Sequence, residues 1–157
     1  MNQRAQASDI LPDRVSCLLL NLEASTVLVP VTAVAEVINT EVAVENSQDD
    51  GPLYGWIPWR EQRIPLLSLE AMMDAPRPGL AFQNRLLILN AIADMAGQGF
   101  YAIPLHGLPA PLQVDGDTLR SSGGAGELIL AQCTVGGEET IIPDFPALEA
   151  AIARLVA

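Results

Sequence analysis

Residues 54–69 read YGWIPWREQRIPLLSL, and the fold turns on how this stretch is parsed. Apolar residues flank Glu61-Gln62 on both sides, which predicts two strands folded over a polar turn. IPLLSL is the returning strand, and LEAMMD beyond it has the length of one helical turn, stopped by Pro76 and Pro78. The same alternation of apolar run, turn and apolar run recurs along the chain. VSCLLLNL (15–22) and TVLVP (26–30) flank Glu23-Ala24-Ser25, NRLLILNAI (84–92) and GFYAIP (99–104) flank ADMAGQG, and ELILAQCTV (127–135) and EETIIP (138–143) flank Gly136-Gly137. Each pair predicts a hairpin, and runs this continuously apolar predict buried strands.

Between the hairpins the signals weaken. VTAVAEVI (31–38) spaces Val31, Val34, Val37 and Ile38 for a short helix that turns extended near Val37. NSQDDG (46–51) predicts a surface loop, and HGLPAPLQVDGDTLRSSGGAG (106–126) predicts mostly loop with a flexible tip over 121–126. PALEAAIARLVA (146–157) predicts a terminal helix with Pro146 near its first turn and Leu148, Ile152, Leu155 and Val156 on one face. Residues 1–14, polar and without periodicity, read as a flexible N-terminal tail, and 15–157 as a single domain.

That domain rhymes with itself. TVLVPVTAVAEVI (26–38) is echoed by FYAIPLHGLPAPL (100–112), and RIPLLSLEAMM (63–73) by TIIPDFPALEAAI (140–152) at a similar offset. Each half runs hairpin, connector, hairpin, short helix. A half of about 70 residues is thin alone, so the two halves are expected to share a core. Short strands with turns every 8–12 residues point to small barrels. The expected fold is mainly β, with two packed five-stranded β-barrels and short helices, one of them C-terminal.

Composition narrows the function. At 157 residues the length fits one domain, and 8 basic against 19 acidic residues leave a net charge of -11. All the basic residues are arginine, so a P-loop lysine, a Schiff-base lysine and a kinase strand lysine are excluded. A surface this acidic repels nucleic-acid phosphates. Hydrophobic content of 50% argues against disorder, and aromatic content of 4% requires an aliphatic core. The longest uncharged stretch, residues 95–114, contains three prolines and three glycines and is no spanning helix, so direct membrane insertion is not expected. Cys17 and Cys133 sit in apolar runs, as two reduced buried thiols of a cytoplasmic protein would; a disulfide between them is the alternative.

Catalytic chemistry finds little support. His106 is the sole histidine, and no Gly-x-Ser-x-Gly elbow accompanies it. Cys17, Cys133 and His106 form no metal-binding spacing, and Asp115-Gly-Asp117 lacks the Glu of a calcium loop at its twelfth position. No catalytic residue, metal or cofactor is therefore assigned. Tyr54–Arg63 stands apart, holding both tryptophans and two arginines, side chains enriched at protein–protein hot spots. Two readings are open. Trp56, Trp59, Arg60 and Arg63 grip a partner carboxylate from an aromatic base, or the tryptophans plug a barrel end and the arginines pair internally.

GWIPWREQRIPLLSL (55–69) resembles the signature of CheW-like coupling domains, Gly-x-x-Asn-x-Arg-Gly followed by an apolar strand with Pro and Asp-Leu. Gly55, Arg60, Ile64, Pro65 and Leu69 fall on that pattern. LVPVTAVAEVI (28–38) is similar to the family's strand–Pro–Val-x-x-Val-x-Glu stretch, with Glu36 at its acidic position, and residues 129–152 resemble the closing hairpin and helix. The resemblance implies two SH3-like barrels around a common core and a non-enzymatic cytoplasmic adaptor. Its partners would be chemoreceptor tips and the regulatory domain of a CheA-type histidine kinase, met through strand-edge and hydrophobic contact. It also implies that Arg60 lies on the kinase and receptor contact surface and Glu36 near the receptor-facing region. Pro58 replaces the usual Asn, Glu61 the usual Gly and Ser68 the usual Asp. Glu61 removes the residue that most easily takes a positive φ and sets a negative charge beside Arg60. The single-domain form and tryptophan-rich turn look like the divergent ChpC-type couplers of chemosensory pili, which serve type IV pilus twitching motility. The competing expectation is a small-molecule-binding barrel or cryptic hydrolase with a pocket near His106.

Overall fold

A computed structural model describes residues 14–22, 25–80, 85–95, 97–115, 120–123 and 126–157. Residues 1–13 of the expected tail, and Asp117 of the acidic turn, lie outside the described residues. Eleven strands run in chain order: β1 (Val15–Asn21), β2 (Thr26–Pro30), β3 (Val34–Ile38), β4 (Leu53–Trp59), β5 (Gln62–Leu67), β6 (Leu86–Met95), β7 (Gln98–Pro104), β8 (Ala110–Val114), β9 (Arg120–Gly123), β10 (Ile129–Val135) and β11 (Glu138–Pro143). Helix α1 (Leu69–Met72) follows β5, and α2 (Phe145–Val156) follows β11. All four expected hairpins form.

Two passages differ from expectation. After Pro30 only one 3₁₀ turn forms (Val31–Ala33), and the chain is extended from Val34 onward. The apolar spacing there reflects β3 pairing with β6, and β-branched valines suit that pleat better than a helix. Within 106–126, β8 and β9 replace part of the expected loop. β8 pairs with β1 as an edge strand, where its one proline, Pro111, is tolerated. At the C-terminus Leu148 and Ile152 are buried as expected, but Leu155 is exposed.

The strands form two sheets, ordered β8-β1-β2-β11-β10-β9 and β3-β6-β7-β5-β4. The first therefore carries β9 beyond the five strands expected. Apart from β9 the two orders correspond strand for strand. A central antiparallel hairpin (β1–β2 or β6–β7) is flanked on one side by a single antiparallel strand (β8 or β3). On the other side it is flanked by a closing hairpin that enters through a parallel pairing (β11 with β2, β5 with β7).

This correspondence explains the internal rhyme and corrects its simplest reading. The two halves of the sequence do not fold into one barrel each. Each sheet takes its central hairpin from one half and its flanking strands from the other. The two echoing strand–Pro segments, 26–38 and 100–112, are the crossovers, β2 into β3 and β7 into β8, running between the sheets in opposite directions.

The shared core follows from the period of two along the central strands. On β6, Leu87 and Leu89 face the common core while Leu86 and Ile88 face the second sheet's own core. On β7, Tyr101 and Ile103 face the common core and Ala102 the other. On β2, Val27 and Val29 face inward to the common core and Leu28 faces a small cluster with Cys17 and Val114. Leu20, Leu67, Leu69, Leu148 and Ile152 complete the common core from β1, β5, α1 and α2.

One charged group is wholly enclosed beside this core. Glu149 of α2 is 0% exposed, and its Oε1 accepts from the backbone N–H of Ile92 (2.8 Å) and Ala93 (2.6 Å). Its Oε2 accepts from the Tyr101 hydroxyl at 3.3 Å. The carboxylate satisfies β6 where its ladder with β7 is interrupted between Asn90 and Met95. Burial, then the nearby carboxylate, pushes the Tyr101 phenol far above its ordinary value. Glu149→Ala removes the acceptor of two part-buried N–H groups and of the buried Tyr101 hydroxyl, and is expected to cost about 2–4 kcal/mol. Urea unfolding measures this directly, and a loss below about 1 kcal/mol would show that α2 is not tied to β6 by this carboxylate.

Candidate functional site

Trp59 pairs with Gln62 across the β4–β5 hairpin, leaving Arg60 and Glu61 as a two-residue turn. Both have positive φ, 47° and 64°. Two successive positive φ values match a type I′ turn, whose twist suits a hairpin. The backbone thus takes the conformation that glycine would make easy, at about 1–2 kcal/mol per non-glycine residue.

Glu36 reaches this turn from β3, the opposite edge of the same sheet. Its Oε1 accepts from the Trp59 indole N–H at 3.1 Å and from Arg60 Nη2 at 3.3 Å. The Arg60 guanidinium lies over the Trp59 ring, 4.5 Å from its centroid. Trp59 itself is 6% exposed and packs tilted against Phe100, with centroids 4.7 Å apart. The five-stranded sheet therefore curls until its two edge strands meet through one carboxylate and one indole. Arg60, with 64% of its side chain exposed, covers that seam from outside. An ion pair this open contributes at most about 1 kcal/mol to stability.

The four aromatic and cationic residues of the turn are not equivalent. Trp59 is a core residue, so for it the barrel-plug reading holds. Trp56 is half-buried and, with exposed Pro58, lies on the other face of β4, opposite Pro65 and Arg63. Arg63 Nε pairs with Glu45 Oε1 at 2.7 Å, so both arginines have internal carboxylate partners while remaining at the surface.

The outer edge of β4 is closed. Glu45 and Trp56 exchange both backbone hydrogen bonds (2.7 and 2.8 Å), and the Gln48 N–H donates to Tyr54 O at 2.8 Å. Pro58 offers no N–H further along. Strand-edge recognition is therefore not open on this strand. Gly55 makes the closure possible. A Cβ there would stand 2.6 Å from Glu45 O and 2.7 Å from Val44 Cγ1, and its φ is 148°. The motif glycine is a close-approach glycine, not a turn glycine.

Arg77, unremarked in the sequence, holds the strap in place. Its guanidinium donates to the carbonyls of Gln48, Asp49, Gly51 and Leu53 at 2.8–3.3 Å and lies 4.4 Å from the centroid of the Tyr54 ring. The Tyr54 hydroxyl donates to Pro78 O. No spacing rule links residue 77 to a loop some 25 positions earlier, and only the fold brings them together. Ser68 caps α1 by accepting from the Ala71 N–H at 3.1 Å, the role an Asp performs equally well.

The remaining candidates are scattered. His106 is exposed on the β7–β8 connection, and among the described residues only its backbone N–H is engaged, with Asn21 O. Clefts of about 280, 310 and 350 Å³ lie elsewhere, and none includes His106. Among the described residues no three His, Cys, Asp or Glu side chains cluster as metal ligands. Cys17 and Cys133 are free and buried; burial pushes both thiols up, and Glu139 adds to the effect at Cys133. No helix among the described residues is long and apolar enough to cross a membrane.

Two barrel-like sheets packed through one core, with a sealed and charge-paired hairpin on one of them, define a double-barrel β domain. The chain belongs to the CheW-like domain family, whose pattern it matches over residues 16–151. Among solved structures it is similar to the scaffolding protein TtCheW from Thermoanaerobacter tengcongensis. The TM-score is 0.65 at 15% identity, covering 83% of this chain and 88% of that one. No curated protein matches it at a significant level.

Gly55→Ala tests the strap. The added methyl collides with backbone, so a loss of about 2–4 kcal/mol is expected. Faster hydrogen exchange at the Trp56 and Gln48 amides should accompany it. Unchanged stability and exchange would mean the strap does not lie on β4.

Proposed function

We propose that the chain is a non-enzymatic cytoplasmic adaptor that couples chemoreceptors to a CheA-type histidine kinase. The observation that carries this reading is membership of the CheW-like family over residues 16–151, with the family's Arg and Glu positions meeting at one exposed seam. Arg60 and Glu36 are the contact residues, Trp56 and Arg63 extend the surface, and Trp59 supports Arg60 from beneath. Rigid support matters because an immobilised arginine loses less entropy when a partner docks. The output is chemotaxis or twitching motility driven by type IV pili, with the ChpC-type couplers as the nearer match to the tryptophan-rich turn.

Calorimetric titration against the regulatory domain of the same organism's CheA-type kinase tests this. Wild type is expected to bind at micromolar or tighter affinity. Arg60→Ala should weaken binding by about tenfold or more, equivalent to about 1.4 kcal/mol. Because the Arg60–Glu36 pair is exposed, the variant's melting temperature should barely move. Equal affinity in wild type and variant would remove Arg60 from the contact surface.

A further inference from the structure

The β4–β5 turn carries one charge that its surroundings do not match. Arg60 is paired with Glu36 at 3.3 Å and Arg63 with Glu45 at 2.7 Å. Glu61, between them in sequence, is exposed and has no hydrogen bond or ion pair among the described residues. The hairpin tip therefore presents a surplus negative charge, although its composition suggests a positive one.

Glu61 is also conformationally expensive. Its φ is 64°, in the region where glycine is unstrained and a side chain with a Cβ is not. The two-residue turn requires that φ, but a glycine would supply it without strain. The side chain is exposed and joins no hydrogen-bond or ion-pair network among the described residues. Strain kept at an exposed position without a structural return points to a binding role. The neighbouring surface fits protein contact, with exposed Pro58 and half-buried Trp56 on the outward face of the same hairpin. The chain as a whole, at -11, attracts a cationic partner surface over distance.

We propose that Glu61 is the specificity-determining charge of this hairpin and takes a lysine or arginine side chain of the kinase regulatory domain. This inference rests on the adaptor reading and refines it. Arg60 and Arg63 each have a carboxylate of this chain beside them, so the charge at the tip left without a partner among the described residues is that of Glu61, and its complement is a cation. Arg60, held by Glu36 and the indole, contributes affinity, while Glu61 selects. A kinase domain carrying an acidic group at that point is repelled, which discriminates between kinase regulatory domains of otherwise similar shape.

Titration of the kinase regulatory domain against wild type, Glu61→Gln, Glu61→Gly and Glu61→Arg separates the possibilities. Glu61→Gly should melt at a higher temperature than wild type, because the turn is relieved, yet bind about 3- to 10-fold more weakly. Glu61→Gln, which keeps the side-chain size, should lose a similar factor. Glu61→Arg should lose more, and the salt dependence of wild-type binding should flatten in the Gln and Gly variants. A purely structural role for Glu61 would move stability and affinity in the same direction. Tight wild-type binding that all three variants retain overturns this inference and leaves the adaptor reading intact. Absence of binding by folded wild type overturns both.

Discussion

Burial of the central hairpins on both faces is the constraint on which the rest of the structure depends. β6 and β7 offer alternate side chains to the common core and to their own barrel, so neither face tolerates an unpaired polar group. That requirement accounts for the continuous aliphatic runs. It also explains why the enclosed polar side chains make specific bonds. Glu149 ties α2 to β6 and Ser68 caps α1, each satisfying backbone groups that the sheets leave open. Exchange of central hairpins between the two halves of the sequence makes the barrels mutually dependent. Neither half holds a complete sheet without the other.

The proposed contact surface is a by-product of closing one of those sheets. A five-stranded sheet with free edges is open to unwanted strand pairing. Here one edge is covered by the 45–48 strap, held by Arg77 and admitted by Gly55, and the two edges are joined by Glu36 and Trp59. Charged groups that complete the seam are left at the surface in fixed positions. A surface defined by barrel closure is rigid without a separate supporting framework, which suits an adaptor whose partners must be held in a set geometry.

Much of this was legible in the sequence. Four hairpins and the closing helix followed from apolar runs and turn signals, the Tyr54–Arg63 cluster from its tryptophans and arginines, and Glu36 from a family resemblance. The internal rhyme correctly marked equivalent segments. It misled about connectivity, because two halves that keep their own strands and two that exchange hairpins have the same one-dimensional pattern. The helical spacing at Val31–Ile38 failed because valines at i and i+3 also satisfy a short strand with a bulge, and β3 is bulged between Val34 and Glu36. Arg77 was invisible because its value lies in four backbone carbonyls, which no side-chain pattern reports. The burial of Trp59 beneath Arg60, against the half-exposure of Trp56, was fixed by strand parity and so required the register of β4.

The most direct test of the central claim uses the two indoles as reporters. Nitrogen-15 labelling gives one indole N–H signal for each of the two tryptophans, and that of Trp59 is bonded to Glu36. Addition of the unlabelled kinase regulatory domain should shift both signals, Trp56 by direct contact and Trp59 through Glu36 and Arg60. Binding that moves backbone signals elsewhere, while both indoles stay in place, would contradict the assignment of this hairpin and seam as the coupling surface.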